Sequence, residues 1–292
     1  MGQFSSLVVA VSLALYATPV RAAENEQPLV MAPISDWVVD YADKSCALRR
    51  AFANEDEKAV LELRQYGPGD RIEVAVLSDT VSRTRGSPRT RFEPASEWSE
   101  PPAANFIDAG SYHGVIYDDT LRLKETRPEE GPLPEWPDED RKTREQAVTG
   151  ITITNSFERD LTLQTGKLHA PMEAMRTCLQ DLVSQWGIDQ GVPGPLARGP
   201  TPLGIASWSR RTLEAYPTDM LRAGKSARVP VRLVVGKDGR VKSCHPNGFA
   251  EPSFLEAACD SMMRYARFNP AVDGNGEPAD GTYVTTIVYQ TF

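Results

Sequence analysis

Residues 228–241 read RVPVRLVVGKDGRV, and the fold turns on how this stretch is read. Val229, Val231, Leu233 and Val235 alternate with other residues, the period of a half-buried strand. Gly236-Lys237-Asp238-Gly239 carries the Asp-Gly signal of a tight hairpin. Arg240–Cys244 then returns as the partner strand. Upstream, Tyr216-Pro217 opens a short helical segment ending near Gly224. Downstream, Ser253 and Glu256 fit a capping box, and Phe254, Leu255, Ala258, Met262 and Ala266 follow at helical spacing. That helix ends at Phe268-Asn269-Pro270, and the last strand, Thr282–Phe292, holds no charged residue. The tail therefore reads helix, β-hairpin, helix, strand.

This order of landmarks resembles the C-terminal domain of TonB, the periplasmic energy transducer of Gram-negative bacteria. Tyr216-Pro217, the 228–241 hairpin, the Arg267-Phe268-Asn269-Pro270-Ala271 helix exit and the apolar last strand carry the resemblance. It covers residues from about 209 to 292. It implies an α/β domain whose sheet pairs with a short extended peptide, the TonB box of an outer-membrane transporter, beside the last strand. Two departures stand out. The segment Arg210–Ala215 lacks glutamine, which the family often carries before Tyr-Pro, and Pro230 inside the first strand suggests an edge or an irregular strand.

The chain has 292 residues, enough for two modest cores. Its net charge is −8, with no basic stripe, which argues against nucleic acid. From Trp208 on there are 11 basic and 9 acidic residues, so the acidity lies in what precedes. Residues 1–22 read as a secretory signal, with an apolar core at Leu7–Tyr16, Pro19, and small-residue cleavage before Ala23. An uncleaved membrane anchor is the alternative, but the run is shorter than the ~20 residues that span a bilayer. The expected location is the periplasm. A cleaved chain would have no direct membrane anchor.

Four cysteines suit an oxidising compartment. Cys244 ends the second tail strand and Cys259 lies on the tail helix. Packing helix on hairpin favours Cys244–Cys259, leaving Cys46–Cys178 for the first domain. A metal site is the competing use of these thiols, but none has a ligand partner at suitable spacing.

The organisation expected is a signal at 1–22, an N-terminal α+β domain at 23–187, a Pro/Gly-rich linker at 188–207 and the TonB-like domain at 208–292. In the first domain, Trp37–Tyr41, Ala47–Phe52, Ala59–Tyr66, Arg71–Leu77, Gly114–Leu123, Val148–Phe157 and Asp160–Leu163 read as strands of a mainly antiparallel sheet. A helix from about Pro171 to Gly187 closes it, with Met172, Met175, Leu179, Leu182, Val183 and Trp186 on one face. Ser82–Pro102 and Pro128–Arg141 read as polar, Pro-rich loops. The fold class is α+β.

Nothing in the sequence calls for a catalytic residue, cofactor or metal. His113, His169 and His245 lack the partners a base needs, and no nucleophile elbow, phosphate loop or zinc motif occurs. Asp118-Asp119 and Asp138-Glu139-Asp140 read as solvated charge. The candidate partner-binding residues are Arg210, Arg211, Tyr216, Pro217, Tyr283, Thr285, Ile287 and Tyr289. Such a strand could capture a peptide by β-augmentation, or a second copy of the chain in a homodimer with a structural role.

Overall fold

The computed structural model describes residues 28–68, 71–79, 88–94, 98–101, 104–109, 111–120, 138–185, 196–247 and 250–291. The expected signal at residues 1–22, Trp136 and Trp186 lie outside them. The architecture is α+β.

The N-terminal part is built on one large sheet. Its strands are β1 (Leu29–Pro33), β2 (Val38–Ala42), β3 (Ser45–Ala53), β4 (Lys58–Gln65), β5 (Arg71–Ser78), β6 (Arg89–Glu93), β7 (Ala104–Ala109) and β8 (Tyr112–Thr120). Helix α1 (Asp138–Ala147) precedes β9 (Gly150–Thr154) and β10 (Leu161–Leu163), and α2 (His169–Gln185) ends the unit. The order is β6-β9-β10-β1-β3-β4-β5-β8-β7, with β2 also paired to β3. Neighbours run antiparallel except β1 and β10. The sheet curls until Thr90 of β6 reaches β8: its hydroxyl donates to Asp119 Oδ2 at 2.6 Å.

Alternation explains the core. Ala59, Leu61 and Leu63 on β4 face inward beside Leu48 and Phe52 of β3 and Ile72, Val74 and Val76 of β5. Met172, Met175, Leu179 and Leu182 of α2 cover them, each such side chain contributing about 1.5–3 kcal/mol when fully buried. The Cys46–Cys178 disulfide staples α2 to β3.

Several expectations change here. β1 and β7 lie outside the strands expected from the sequence, and β6 falls inside the expected loop at Ser82–Pro102. The acidic run at Asp138 opens α1 rather than a loop. Neither Asp118 nor Asp119 is solvated: Asp119 accepts from Thr90 and Ser99, and Asp118 pairs with Arg228.

Past residue 195 the chain forms β11 (Leu196–Arg198), β12 (Thr201–Leu203), α3 (Ile205–Glu214) and α4 (Thr218–Arg222). Then come β13 (Ala227–Val235), β14 (Val241–Pro246), α5 (Pro252–Tyr265), β15 (Arg267–Asn269), β16 (Ala271–Asp273), β17 (Pro278–Ala279) and β18 (Gly281–Tyr289). The second half of the expected linker is thus ordered. β11 pairs with β16 and β12 with β15, which ties that segment to the tail. It evaded notice because three-residue strands carry too few positions for a period to show.

The tail sheet runs β14-β13-β18. Val229, Val231, Leu233 and Val235 are fully buried against Phe254, Ala258 and Met262 of α5, and the Cys244–Cys259 disulfide fastens α5 to β14. Gly239 has φ 73° and lies so close to β15 that a Cβ there would sit 2.1 Å from the Phe268 carbonyl oxygen. Only glycine fits that turn. The capping box is not formed. Pro252 takes the first helical position, and the Ser253 hydroxyl donates to Asp219 Oδ2 at 2.9 Å instead.

Candidate functional site

β13 is the central strand, so Pro230 does not mark an edge. The reason is register. β14 pairs with β13 only from Val231 to Val235, and the Asn247 N–H donates to the Pro230 carbonyl at 2.7 Å. The backbone of Pro230 therefore faces the β14 side, just past that strand's end, where its missing N–H breaks no ladder bond.

The same observation orients the opposite edge. β13 and β18 pair over nine rungs, from Ala227↔Tyr289 to Val235↔Gly281. Because Pro230 turns its polar groups away from β18, the rung Pro230↔Thr286 is a non-hydrogen-bonded pair. Alternation then fixes the others. Residues 283, 285 and 287 spend their backbone groups on β13. Thr282, Val284, Thr286 and Val288 point theirs outward, and among the described residues no strand pairs there. None of these residues carries the charge that usually guards an open edge.

The side chains divide the same way. Tyr283, Thr285, Ile287 and Tyr289 lie on the α5 face, with Thr285, Ile287 and Tyr289 buried and Tyr283 packed on Phe268. Tyr289 stacks against Tyr216 and Phe254 at ring distances of 5.3 and 5.1 Å. Its buried phenol is pushed up to about 12 by desolvation, with a further push from Tyr216. Tyr216 is half-buried, and its hydroxyl donates to the Lys225 carbonyl. Pro217 precedes the first turn of α4 and its carbonyl accepts from Leu221 N–H at 2.9 Å. These six expected binding residues are thus largely structural in their side chains. Sequence alternation identified two faces of β18 but could not say which face the core would take.

Arg210 and Arg211 are exposed on α3. Arg210 reaches Glu214 at 3.6 Å, and Arg211 lies over the Tyr265 ring at 5.3 Å. They sit on the helix that packs beside α5, apart from the buried aromatic cluster.

The histidines form no reaction centre. His169 Nδ1 contacts the buried Glu145 at 3.0 Å, with Arg176 beside it at 2.7 Å. His245 Nε2 is 3.1 Å from Ser243 Oγ, and burial holds its pKa below the usual imidazole value, assisted by Arg232. His113 is exposed at the start of β8. Among the described residues no three metal-ligating side chains converge.

The tail is thus a central strand flanked by a hairpin partner and an uncharged outer strand, backed by one helix. Residues 213–291, about a quarter of the chain, match the family described as Gram-negative bacterial TonB protein C-terminal. A domain of this kind suggests a TonB-like, envelope transport-related protein. Domains of this family interact with proteins such as outer-membrane transporters and are not enzymatic. No curated protein matches the chain. No helix among the described residues is long and apolar enough to cross a membrane.

Proposed function

We propose that this protein works in the periplasm, delivered there by the signal at residues 1–22, and captures a short extended segment of a partner by strand addition to β18. The outward backbone groups of Thr282, Val284, Thr286 and Val288 supply the hydrogen bonds. A TonB box of an outer-membrane transporter is the partner class that the family match supports. The observation carrying the reading is the uncharged outer strand at the end of the β14-β13-β18 order. Backbone bonds give affinity in this mode, while side-chain pockets tune specificity. Arg210 and Arg211, on the neighbouring helix, would favour an acidic flank.

The test is titration calorimetry of the full chain with a synthetic TonB-box peptide. Thr286→Pro removes one outward N–H and leaves the β13 ladder intact, so affinity should fall at least tenfold with the fold retained. An unchanged affinity would overturn the reading. Light scattering on the same pair of proteins addresses the alternative, a homodimer through the same edge. A wild-type dimer that Thr286→Pro splits, with no peptide binding by either protein, would favour the structural role.

A further inference from the structure

The side of the tail sheet away from α5 is not bare. Arg228 projects from it on β13, yet its side chain is only 7% exposed. What buries it belongs to the N-terminal sheet. Arg228 Nη2 pairs with Asp118 Oδ1 at 2.7 Å, Nε lies 3.4 Å from Glu73 Oε2, and Nη1 lies 3.5 Å from Asn105 Oδ1. Pro230, the next residue on that face, is also buried.

The receiving side has an unusual composition. Glu73 of β5 and Asp118 of β8 are directly opposite cross-strand partners. Two like charges in that position repel and destabilise a sheet, and here Glu73 is 5% exposed, so water screens them little. The N-terminal sheet does not neutralise the pair by itself. Arg64, which also acts on Glu73, is committed to Glu62 at 2.8 Å and to the Ser45 hydroxyl at 2.6 Å. Tyr66 helps with one hydrogen bond, its hydroxyl donating to Glu73 Oε1 at 2.9 Å, but brings no charge. Burial pushes the Glu73 carboxyl up, against the pull of Arg228 and reinforced by Asp118. A guanidinium suits this arrangement because its rigid planar fork aims N–H donors at both carboxylates in fixed directions, whereas a lysine ammonium is a rotatable point charge without that fork.

β5 records the same contact in its burial. Neighbouring β4 alternates, but Ile72, Glu73, Val74, Ala75 and Val76 of β5 are all buried. One face lies on the α2 core. The opposite face, carrying Glu73, looks into the cleft between the two sheets. That cleft, about 920 Å3, also takes Phe106, Ile107 and Ile116 from one side and Pro230 and Phe254 from the other.

We propose that the Glu73–Asp118 pair is a receptor for an arginine side chain, filled in cis by Arg228, and that it docks the N-terminal domain on the outer face of the TonB-like sheet. The acidic domain is then a cover for that face. The sheet cannot offer that face to a second copy or to another protein while the socket is filled, whereas the β18 edge stays open. This assignment does not depend on which partner β18 takes, or on whether it takes one.

Hydrogen exchange with mass spectrometry on the full chain tests the docking without any peptide. Arg228→Ala should accelerate exchange at least tenfold in peptides covering 104–109, 112–118 and 225–230, with peptides from β3 and α2 unchanged. Small-angle scattering of the same sample should show a larger radius of gyration. Asp118→Asn is the milder companion, leaving Arg228 in place, and should give the same pattern to a smaller degree. Arg228→Lys should fail to restore wild-type protection. The proposal is overturned if Asp118→Asn and Arg228→Ala both leave protection at 104–118 and the radius unchanged. It is equally overturned if the acceleration spreads uniformly through β3 and α2 in both variants, which would make Arg228 a general stability residue. The two proposals fail separately: lost docking leaves peptide titration at β18 to be judged by itself.

Discussion

The large N-terminal sheet and the β14-β13-β18 sheet of the tail solve the edge problem in opposite ways. The N-terminal sheet curls until β6 comes within hydrogen-bonding reach of β8 through Thr90 and Asp119. The tail sheet has three strands, too few to curl back, and ends in an uncharged nine-residue strand. A sheet of that size left open is normally blunted by charge or proline. Its absence at β18 is what a strand-capturing surface needs, and what a purely structural sheet would avoid.

The staples of the two regions offer the largest contrast. Cys46–Cys178 closes 132 residues, and Cys244–Cys259 closes 15. In the chain-entropy model their loss costs about 5 and about 3 kcal/mol. Denaturant unfolding of Cys46→Ser/Cys178→Ser should therefore show the larger drop in midpoint for the N-terminal region. An equal drop for the Cys244/Cys259 pair would break the comparison.

Phe254→Ala comes next. This ring is 1% exposed and packs on both Tyr216 and Tyr289. Its removal should cost about 3–5 kcal/mol. Near-ultraviolet circular dichroism should show the loss in the tail, with the α2 core retained.

A smaller effect is expected at Tyr289. Its hydroxyl is buried with no hydrogen-bond partner, so Tyr289→Phe should stabilise the fold by up to about 1 kcal/mol at neutral pH, read as a higher melting temperature. The pH dependence is more telling. The fold holds this phenol's proton up to about 12 while an unfolded chain releases it near 10. The contribution is intact below pH 10 and is lost as pH rises from 10 to about 12. Thermal melts of Tyr289→Phe should lose part of that alkaline slope. Tyr66, also pushed up by burial and by Glu73, keeps a remainder.

Much of this architecture was legible because it is periodic. The alternation of Val229, Val231, Leu233 and Val235, the turn at Asp238-Gly239 and the stripe on α2 are each set by local geometry, and the structure places them accordingly. The disulfide pairing was legible for a related reason, since a helix packed on a hairpin brings Cys244 and Cys259 together. The misses share a different cause. Pro230 looked like an edge residue because sequence shows a missing donor but not the strand end beside it. The side chains of Tyr283 to Tyr289 were expected at the partner, but which face of β18 is buried depends on α5, packed from elsewhere in the chain. The Arg228 socket joins residues 155 apart in sequence, and no local pattern encodes such a pair.

The central claim is that β18 presents an open backbone edge, and amide exchange resolved by nuclear magnetic resonance measures it residue by residue. In the free chain the amides of Thr282, Val284, Thr286 and Val288 should exchange quickly while those of Tyr283, Thr285 and Ile287 stay protected. Adding a TonB-box peptide should protect the first set and leave the second as it was. Uniform protection along β18 in the free monomer would contradict the account, because the edge would already be covered.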